Sequence, residues 1–470
     1  PAVRRGRHRH PRIEPRPRRR RGTVAAVGRR ERPPPDRHRG RRVSRSPATV
    51  VKVGWPAGPA YAGSFLLDSA TRGVLDGTTY TLADEILVEL AGVLTAKSVT
   101  GRSSRYDAPT AGTLTVNLED PDRELDPTNE AGPWYGAIEA RRPITLASRW
   151  TVGGTVVDVP EWSGYIDDIT GDYRNTTGRV TITAFDLIGL LNFTVSDSAS
   201  TRPAESCAAR LRYLVSLLGF PVPEGPVDTG RTLVAMPLDG DNVLALIRGI
   251  ELADQGRFMV TPSGAWSYVS SLTDTTPTIT LKNLPDYTRP EAPLASAPMS
   301  SSLARYYNSV SVNRWFGSNP QVAEDADAIA RFGRRSPTAY TELPLANDSD
   351  ALDVANLMLL RASSRTPTPR SATVNVHAVT ASPGGSVGAA AGVAALLSTA
   401  QAQTVAVVNM YAAGTPMEVT SVAIVDKVTH DTAPARWTTT FDLSPVPVSI
   451  RPIELDDATL AVLGTGRVGF

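Results

Sequence analysis

The chain has 470 residues, 41% of them hydrophobic, with 37 Gly, 38 Pro, one Cys and five His. That length suits about three domains, and that composition suits many short elements joined by turns. Residues 1–46 hold 18 Arg, no Lys and three acids, a net charge of +15. The remaining 31 basic and 44 acidic residues give −13, so a broad nucleic-acid-binding face on the body is not expected.

Residues 1–47 are Arg- and Pro-rich with almost no apolar content and cannot build a core. They read as a basic disordered arm or, preferably, as an upstream segment translated in error. No Met precedes Met236, and a GTG codon at Val50 or Val51 would serve as a start. No apolar h-region opens the chain, and no apolar run reaches the roughly 20 residues that span a membrane.

From residue 48 the pattern turns to strands. Leu114, Val116 and Leu118 alternate with Thr113, Thr115 and Asn117. Ile144, Leu146 and Trp150, then Trp162 and Ile166, then Val180, Ile182 and Ala184 repeat the pattern. These runs predict an N-terminal β-barrel-like domain over 48–195. A helical and hairpin α+β insert is expected over 196–300. Its first helix covers about 203–219. Its second is capped by Asp241, carries Val243, Leu246, Ile247 and Ile250 on one face, and closes at Gly256. "RFMVTPSGAWSYVS" reads as a hairpin turning at Pro262 and Gly264.

A second β-barrel-like domain is expected over 301–450, with a helix in "NDSDALDVANLMLLRASS" whose Leu352, Ala355 and Met358 share a side. "SPGGSVGAAAGVAALLSTAQA" fits either a loose helix or a flexible crossover. Three strands follow, and 451–470 form a C-terminal tail. The fold class is mainly β with α inserts.

Chemistry-bearing residues are scarce. Cys207 falls on the apolar face of a helix and reads as a buried thiol; alone it excludes disulfides and multi-Cys metal sites. Of the five His, only His377 and His430 lie in the body, both in strand-like runs. A Ser-His-Asp triad or a His-rich metal centre has little to be built from. The segment "LEDPDRELDPTN" places Asp120, Asp122, Glu124 and Asp126 two apart, as a calcium loop begins. Such a loop needs Gly at its sixth position and Glu at its twelfth, where this chain has Leu125 and Ala131. The better reading is a strand-to-strand corner built on Asp120, Arg123, Asp126, Pro127 and Asn129. Each Pro there follows an Asp, which favours extended or turn backbone, and Asp side chains accept local N–H groups. Arg123, Arg141 and Arg142 are available as partners. No catalytic, cofactor or metal residues are assigned. "GTGRVG" follows no βαβ unit, and "SPGGSVG" lacks the Lys of a phosphate loop.

"LEDPDRELDPTNEAGPWYGAIEARRPITLASRW" resembles the strand–corner–strand of minor tail proteins of actinobacterial siphophages. "WSGYIDDI", "VTITAFDLIGLL", "LDGDNVLALIRGIELADQGRFMVTPSGAWSYVS", "YYNSVSVNRW", "LANDSDALDVANLMLLR" and "VTHDTAPARWTTTFDLSPV" continue the likeness, in order, over about residues 51–450. Leu125 stands where an aromatic is more usual. The resemblance implies a non-enzymatic virion protein of the baseplate-hub type, with tandem β-barrel-like domains and helical inserts. It implies a homotrimer at the tail tip that meets the distal tail protein ring, the tape measure protein and other minor tail or receptor-binding proteins, with DNA only in transit. The competing readings are a cell-wall hydrolase and a carbohydrate-binding module stacking sugar on Trp134, Tyr135 or Trp162. The 45 Arg against 4 Lys fit a GC-rich genome.

Overall fold

The structure, a computed structural model, describes residues 47–445 apart from 57–84, 103–106, 175–176, 197–200, 239, 271–276, 301–305, 363–367, 382–383, 402–403, 412–416 and 434–435. The arm before residue 47 and the tail expected over 451–470 lie outside the described residues. Among those described, no helix is long and apolar enough to cross a membrane.

Seven strands open the described chain: β1 (Ala48–Pro56), β2 (Glu85–Glu89), β3 (Val93–Gly101), β4 (Thr113–Glu119), β5 (Pro143–Val152), β6 (Thr155–Asp172) and β7 (Arg179–Phe185). They pair in the order β2-β1-β5-β6-β7-β4-β3, every neighbour antiparallel. Alternation sets their faces. Leu114, Val116 and Leu118 of β4 are buried while Thr113 and Asn117 are exposed. They meet Trp55, Ile144, Leu146, Trp162, Ile166, Val180 and Ile182 in one core.

The insert begins at α1 (Leu187–Asn192) and α2 (Cys207–Ser216), passes β8 (Glu224–Val227) and α3 (Val243–Asp254), and returns as β9 (Arg257–Val260) and β10 (Trp266–Val269). Asn242, not Asp241, caps α3, its side chain accepting from Ala245 N at 3.2 Å. The helix closes on Gln255 in the left-handed region, φ 53°, one residue before the expected Gly256. Gly256 is needed for space instead, since a Cβ there would sit 2.2 Å from the Tyr268 hydroxyl. The β9–β10 turn runs through Pro262 and Gly264, with Gly264 N donating to Thr261 O at 2.9 Å.

The remaining elements are β11 (Ile279–Lys282), β12 (Glu291–Ser296), β13 (Ser309–Arg314), β14 (Gln321–Glu324), α4 (Ala326–Phe332), β15 (Tyr340–Leu343), α5 (Asp348–Ala362), β16 (Ser371–Asn375), α6 (Val376–Ala381), α7 (Val387–Ser398), β17 (Thr404–Tyr411), β18 (Met417–Ala433) and β19 (Arg436–Pro445). Ladders link β18, β17, β11, β12, β16 and β19 in turn, and β19 pairs again with β18. This set buries a core with α6 and α7 that also takes in Trp150 of β5 and Val159 of β6. A third core joins the insert to β13–β15 and α5 through Ile247, Phe258, Val310, Val312, Val354 and Met358.

Among the described residues the two strand sets are joined rather than separate. β3 pairs with β18 over six residue pairs, so both strand sets belong to one 13-stranded sheet. Among the described residues no ladder joins β2 to β3 to close the first set. The second set takes β11 and β12 from the segment expected as insert, while 309–362 packs with the insert. Alternation reports a buried face but not which sheet a short strand joins. Two local readings change, and one left open is decided. His377 lies in α6 rather than in a strand, "SVGAAAGVAALLS" is a helix capped by Ser386, and Leu352 of α5 is exposed while Ala351 and Val354 take the buried face.

Candidate functional site

The corner predicted at 120–129 is a staircase of turns. Arg123 N donates to Asp120 O, Asp126 N to Arg123 O, Asn129 N to Asp126 O, Gly132 N to Asn129 O and Tyr135 N to Gly132 O. The repeat is therefore three, and the acids at spacing two split by burial: Asp120 and Asp126 are buried, Asp122 and Glu124 exposed. The Asp120 carboxylate accepts from Glu124 N, Leu125 N and the Tyr173 hydroxyl, each at 2.9 Å. Asp126 Oδ1 accepts from Thr128 N at 2.9 Å and the Thr128 hydroxyl at 2.7 Å, and its Oδ2 accepts from Arg123 Nε at 2.8 Å. Asn129 Nδ2 donates to Arg123 O at 2.8 Å, fixing Arg123 at φ 57°. Pro127 is exposed and follows the Asp126 turn.

The Thr128 hydroxyl and amide, followed by Arg123, hold the Asp126 carboxyl below its ordinary range. Burial, then Asp120, pushes the Tyr173 hydroxyl above its own. Of the three arginines proposed as partners, Arg123 serves the corner, whereas Arg142 pairs with Glu139 at 2.5 Å. The staircase carries Leu125 and Trp134 into the first core, where Trp134 stacks on Trp55 with centroids 6.0 Å apart. Trp134 and Trp162 are thus core residues rather than a sugar platform, and of the three aromatics only Tyr135 is exposed. Among the described residues, no three or more His, Cys, Asp or Glu side chains are grouped to hold a metal ion.

Charge is buried elsewhere, where β3, α3, β9 and β18 meet. Arg102 makes a two-pronged pair with Glu251 at 2.5 and 3.1 Å, and Glu251 also accepts from Phe258 N at 2.7 Å. Arg257 donates to Asp426 at 2.8 Å and to Val425 O at 3.0 Å, and the Ser444 hydroxyl donates to Asp426. Gly101 allows the approach: at φ 100°, a Cβ there would lie 2.2 Å from Asp426 O. Beside this joint Glu161 of β6 and His430 of β18 face each other, both buried.

Glu161 and Asp426 share an origin. Leu146 pairs with Trp162 and Ala147 with Pro160, leaving Glu161 as the extra residue of a bulge. Val425 pairs with Leu443 and Lys427 with Asp442, leaving Asp426 as the extra residue of another. A bulge lets two consecutive side chains turn inward. The sequence reading passed over both acids. The available signal is a switch in parity: buried residues fall at Val159 and Glu161 and then at Trp162, Gly164 and Ile166, and likewise switch from Ala423 and Val425 to Asp426, Val428 and His430.

No protein-family model matches the chain, and no curated protein matches it. Solved structures do. The 43 kDa tail protein of prophage MuSo2 from Shewanella oneidensis superposes with a TM-score of 0.50 at 10% identity, over 85% of this chain and 98% of that one. A tail protein from Neisseria meningitidis MC58 superposes with a TM-score of 0.51 at 10% identity, over 85% of this chain and 96% of that one. The fold is shared with phage tail proteins. At this identity the likeness is one of backbone arrangement, and it takes in nearly the whole length of both tail proteins.

Proposed function

We propose that the chain is a structural protein of a phage-type tail and acts at the tail tip as the hub that closes the tube. The observation that carries this reading is the extent of the shared fold, 85% of this chain against 96–98% of two tail proteins, which leaves little of either neighbour unmatched. The ordered motifs over 51–450 favour a siphophage of an actinobacterial host. The hub is a homotrimer, closed cyclic symmetry being the usual way for one protein to seal a tube. Strands β1–β7 and the six-strand set give two sheet surfaces per chain, hence six per trimer, to meet a sixfold ring of distal tail protein. The tape measure protein and other minor tail or receptor-binding proteins are the further partners. A body of net charge −13 suits a channel through which DNA slides without adhering. The protein is not an enzyme, and its buried acids and arginines hold elements together.

Imaging of particles carrying a labelled copy tests the proposal, with mass measurement of the isolated protein alongside. The expected result is label at the tail tip and a trimeric mass. Label on the shaft or capsid rejects the hub, and a hexamer at the tip assigns the chain to the adjoining ring instead.

A further inference from the structure

The contact between Glu161 and His430 links the two strand sets without a backbone ladder between β6 and β18. Its members are aimed by opposite devices. The bulge in β6 turns Glu161 inward next to Trp162. His430 sits in regular register, opposite Ser98 of β3 on one side and Thr439 of β19 on the other. Its Nδ1 lies 2.9 Å from the Thr439 hydroxyl, so Nε2 is the nitrogen left for Glu161, and Nε2 stands 3.3 Å from Glu161 Oε2. The other carboxyl oxygen accepts from the Ser148 hydroxyl at 2.9 Å, which in turn accepts from Trp150 Nε1 at 3.0 Å. Both side chains of the pair are essentially inaccessible, at 3% and 0%.

A cavity of about 10 Å³, space for a single water, opens beside the pair. Thr100 of β3, Ser163 of β6, Thr261 of the β9–β10 turn and Gln401 after α7 contribute uncharged groups to its wall, and Asp186, the cap of α1, contributes the third titratable one. Among the described residues no Lys or Arg lines it. A charge placed here has no compensating partner of opposite sign beyond the pair itself.

We propose that Glu161 and His430 form a one-proton latch between the two strand sets: with one proton on the pair as a whole β6 stays seated against β18, and a second proton unseats it. With one proton the pair is neutral overall whichever atom holds it, and the two groups titrate as a unit. With two protons, Glu161 is a neutral acid and His430 an imidazolium buried with no opposite charge beside it. Burial acts in the direction this requires. It raises the Glu161 carboxyl well above its ordinary range and lowers His430 to about 4. A depressed imidazole stabilises the fold fully above its unfolded value near 6.5, and that contribution is lost as pH falls through about 4. Asp186, pushed by burial to about 7, stays largely protonated over the same acid range and adds no counter-charge. The latch does not depend on where in a particle the protein acts.

The test is incubation of the full chain between pH 7 and 3.5, then a short deuterium pulse at one fixed pH, read by mass spectrometry. Segments 143–172 and 417–445 are expected to lose protection at a higher pH than the corner segment 113–135. In H430Q those two segments stay protected further into acid, with labelling at pH 4 reduced about tenfold or more, one pH unit's worth. E161Q, which keeps the imidazole, still opens in acid. The proposal is overturned if H430Q opens at the wild-type pH, if E161Q stays closed, or if the corner opens together with the two segments. Should H430Q fail to fold, the ¹⁵N shifts of the His430 ring in the unaltered protein decide. Uptake of the second proton below pH 5 supports the latch, and an ordinary titration near 6.5 overturns it.

Discussion

Asp126 has both carboxyl oxygens committed to groups within three residues of itself, and its chain neighbour Leu125 is buried in the first core. Removing the carboxyl leaves the Thr128 amide and the Arg123 guanidinium without an acceptor, and holds Leu125 less firmly in place. Because water reaches the exposed Thr128 and Arg123 donors, Asp126→Ala is expected to lower stability by about 0.5–1.5 kcal/mol in denaturant titrations. Asp126→Asn, which keeps an acceptor for Thr128, should cost less. The pH dependence follows from the depressed carboxyl. Its contribution is full above the unfolded value near 3.8 and is lost as pH falls through the lower folded value. Wild type and Asp126→Asn should thus converge as the solution approaches pH 2, and a gap that stays constant from pH 7 to pH 2 would refute this account. The corner was legible as a corner because Asp and Pro carry their backbone preferences locally. Its period was not, because acids at spacing two looked like the repeat, while the turns fall at Asp120, Arg123, Asp126 and Asn129, where residue types differ.

Strands were legible where one face is buried and unbroken, as in β4 and β7. The two bulges were not read, because a single inserted residue changes the parity without changing the composition. Helix ends moved by one residue at α3 because a cap is set by which side chain reaches a free amide, and Asn242 and Asp241 are alike in composition terms. β1 begins at Ala48, ahead of both Val50 and Val51, the codons suggested as a start. Ala48, Thr49 and Val50 pair with Arg149, Ser148 and Ala147, and Val50 is 2% exposed. A chain starting at Pro47 should therefore be more stable than one starting at Val51 by about 1.5–3 kcal/mol, the worth of one buried Val and its ladder. Thermal melts of the two in the same buffer measure this directly. Equal midpoints would mean that the first three residues of β1 contribute nothing.

At the scale of the whole molecule, a mainly β chain with helical inserts was legible from composition and alternation, but the joining of its strand sets was not. Beside the β3–β18 ladder, the insert ties to both sets: Arg102 after β3 pairs with Glu251 of α3, and Arg257 of β9 with Asp426 of β18, at separations of 149 and 169 positions, and ion pairs so far apart leave no local pattern. Their effect is mechanical. Six residue pairs between β3 and β18, two buried ion pairs and the close approach at Gly101 make it costly to unfold either set while the other stands. Two independent barrels would instead melt separately. Calorimetry of the full chain at neutral pH is expected to give one transition across both strand sets, with the calorimetric and van't Hoff enthalpies agreeing. Glu251→Gln takes the negative charge from a buried partner of Arg102, a loss of about 3–5 kcal/mol for a broken buried pair. It should move that single transition to lower temperature without splitting it. Arg102→Met added to it removes the stranded cation and should recover part of the loss. Two resolved transitions in the unaltered chain, or a Glu251→Gln variant in which only the insert melts early, would mean that the shared sheet does not couple its halves.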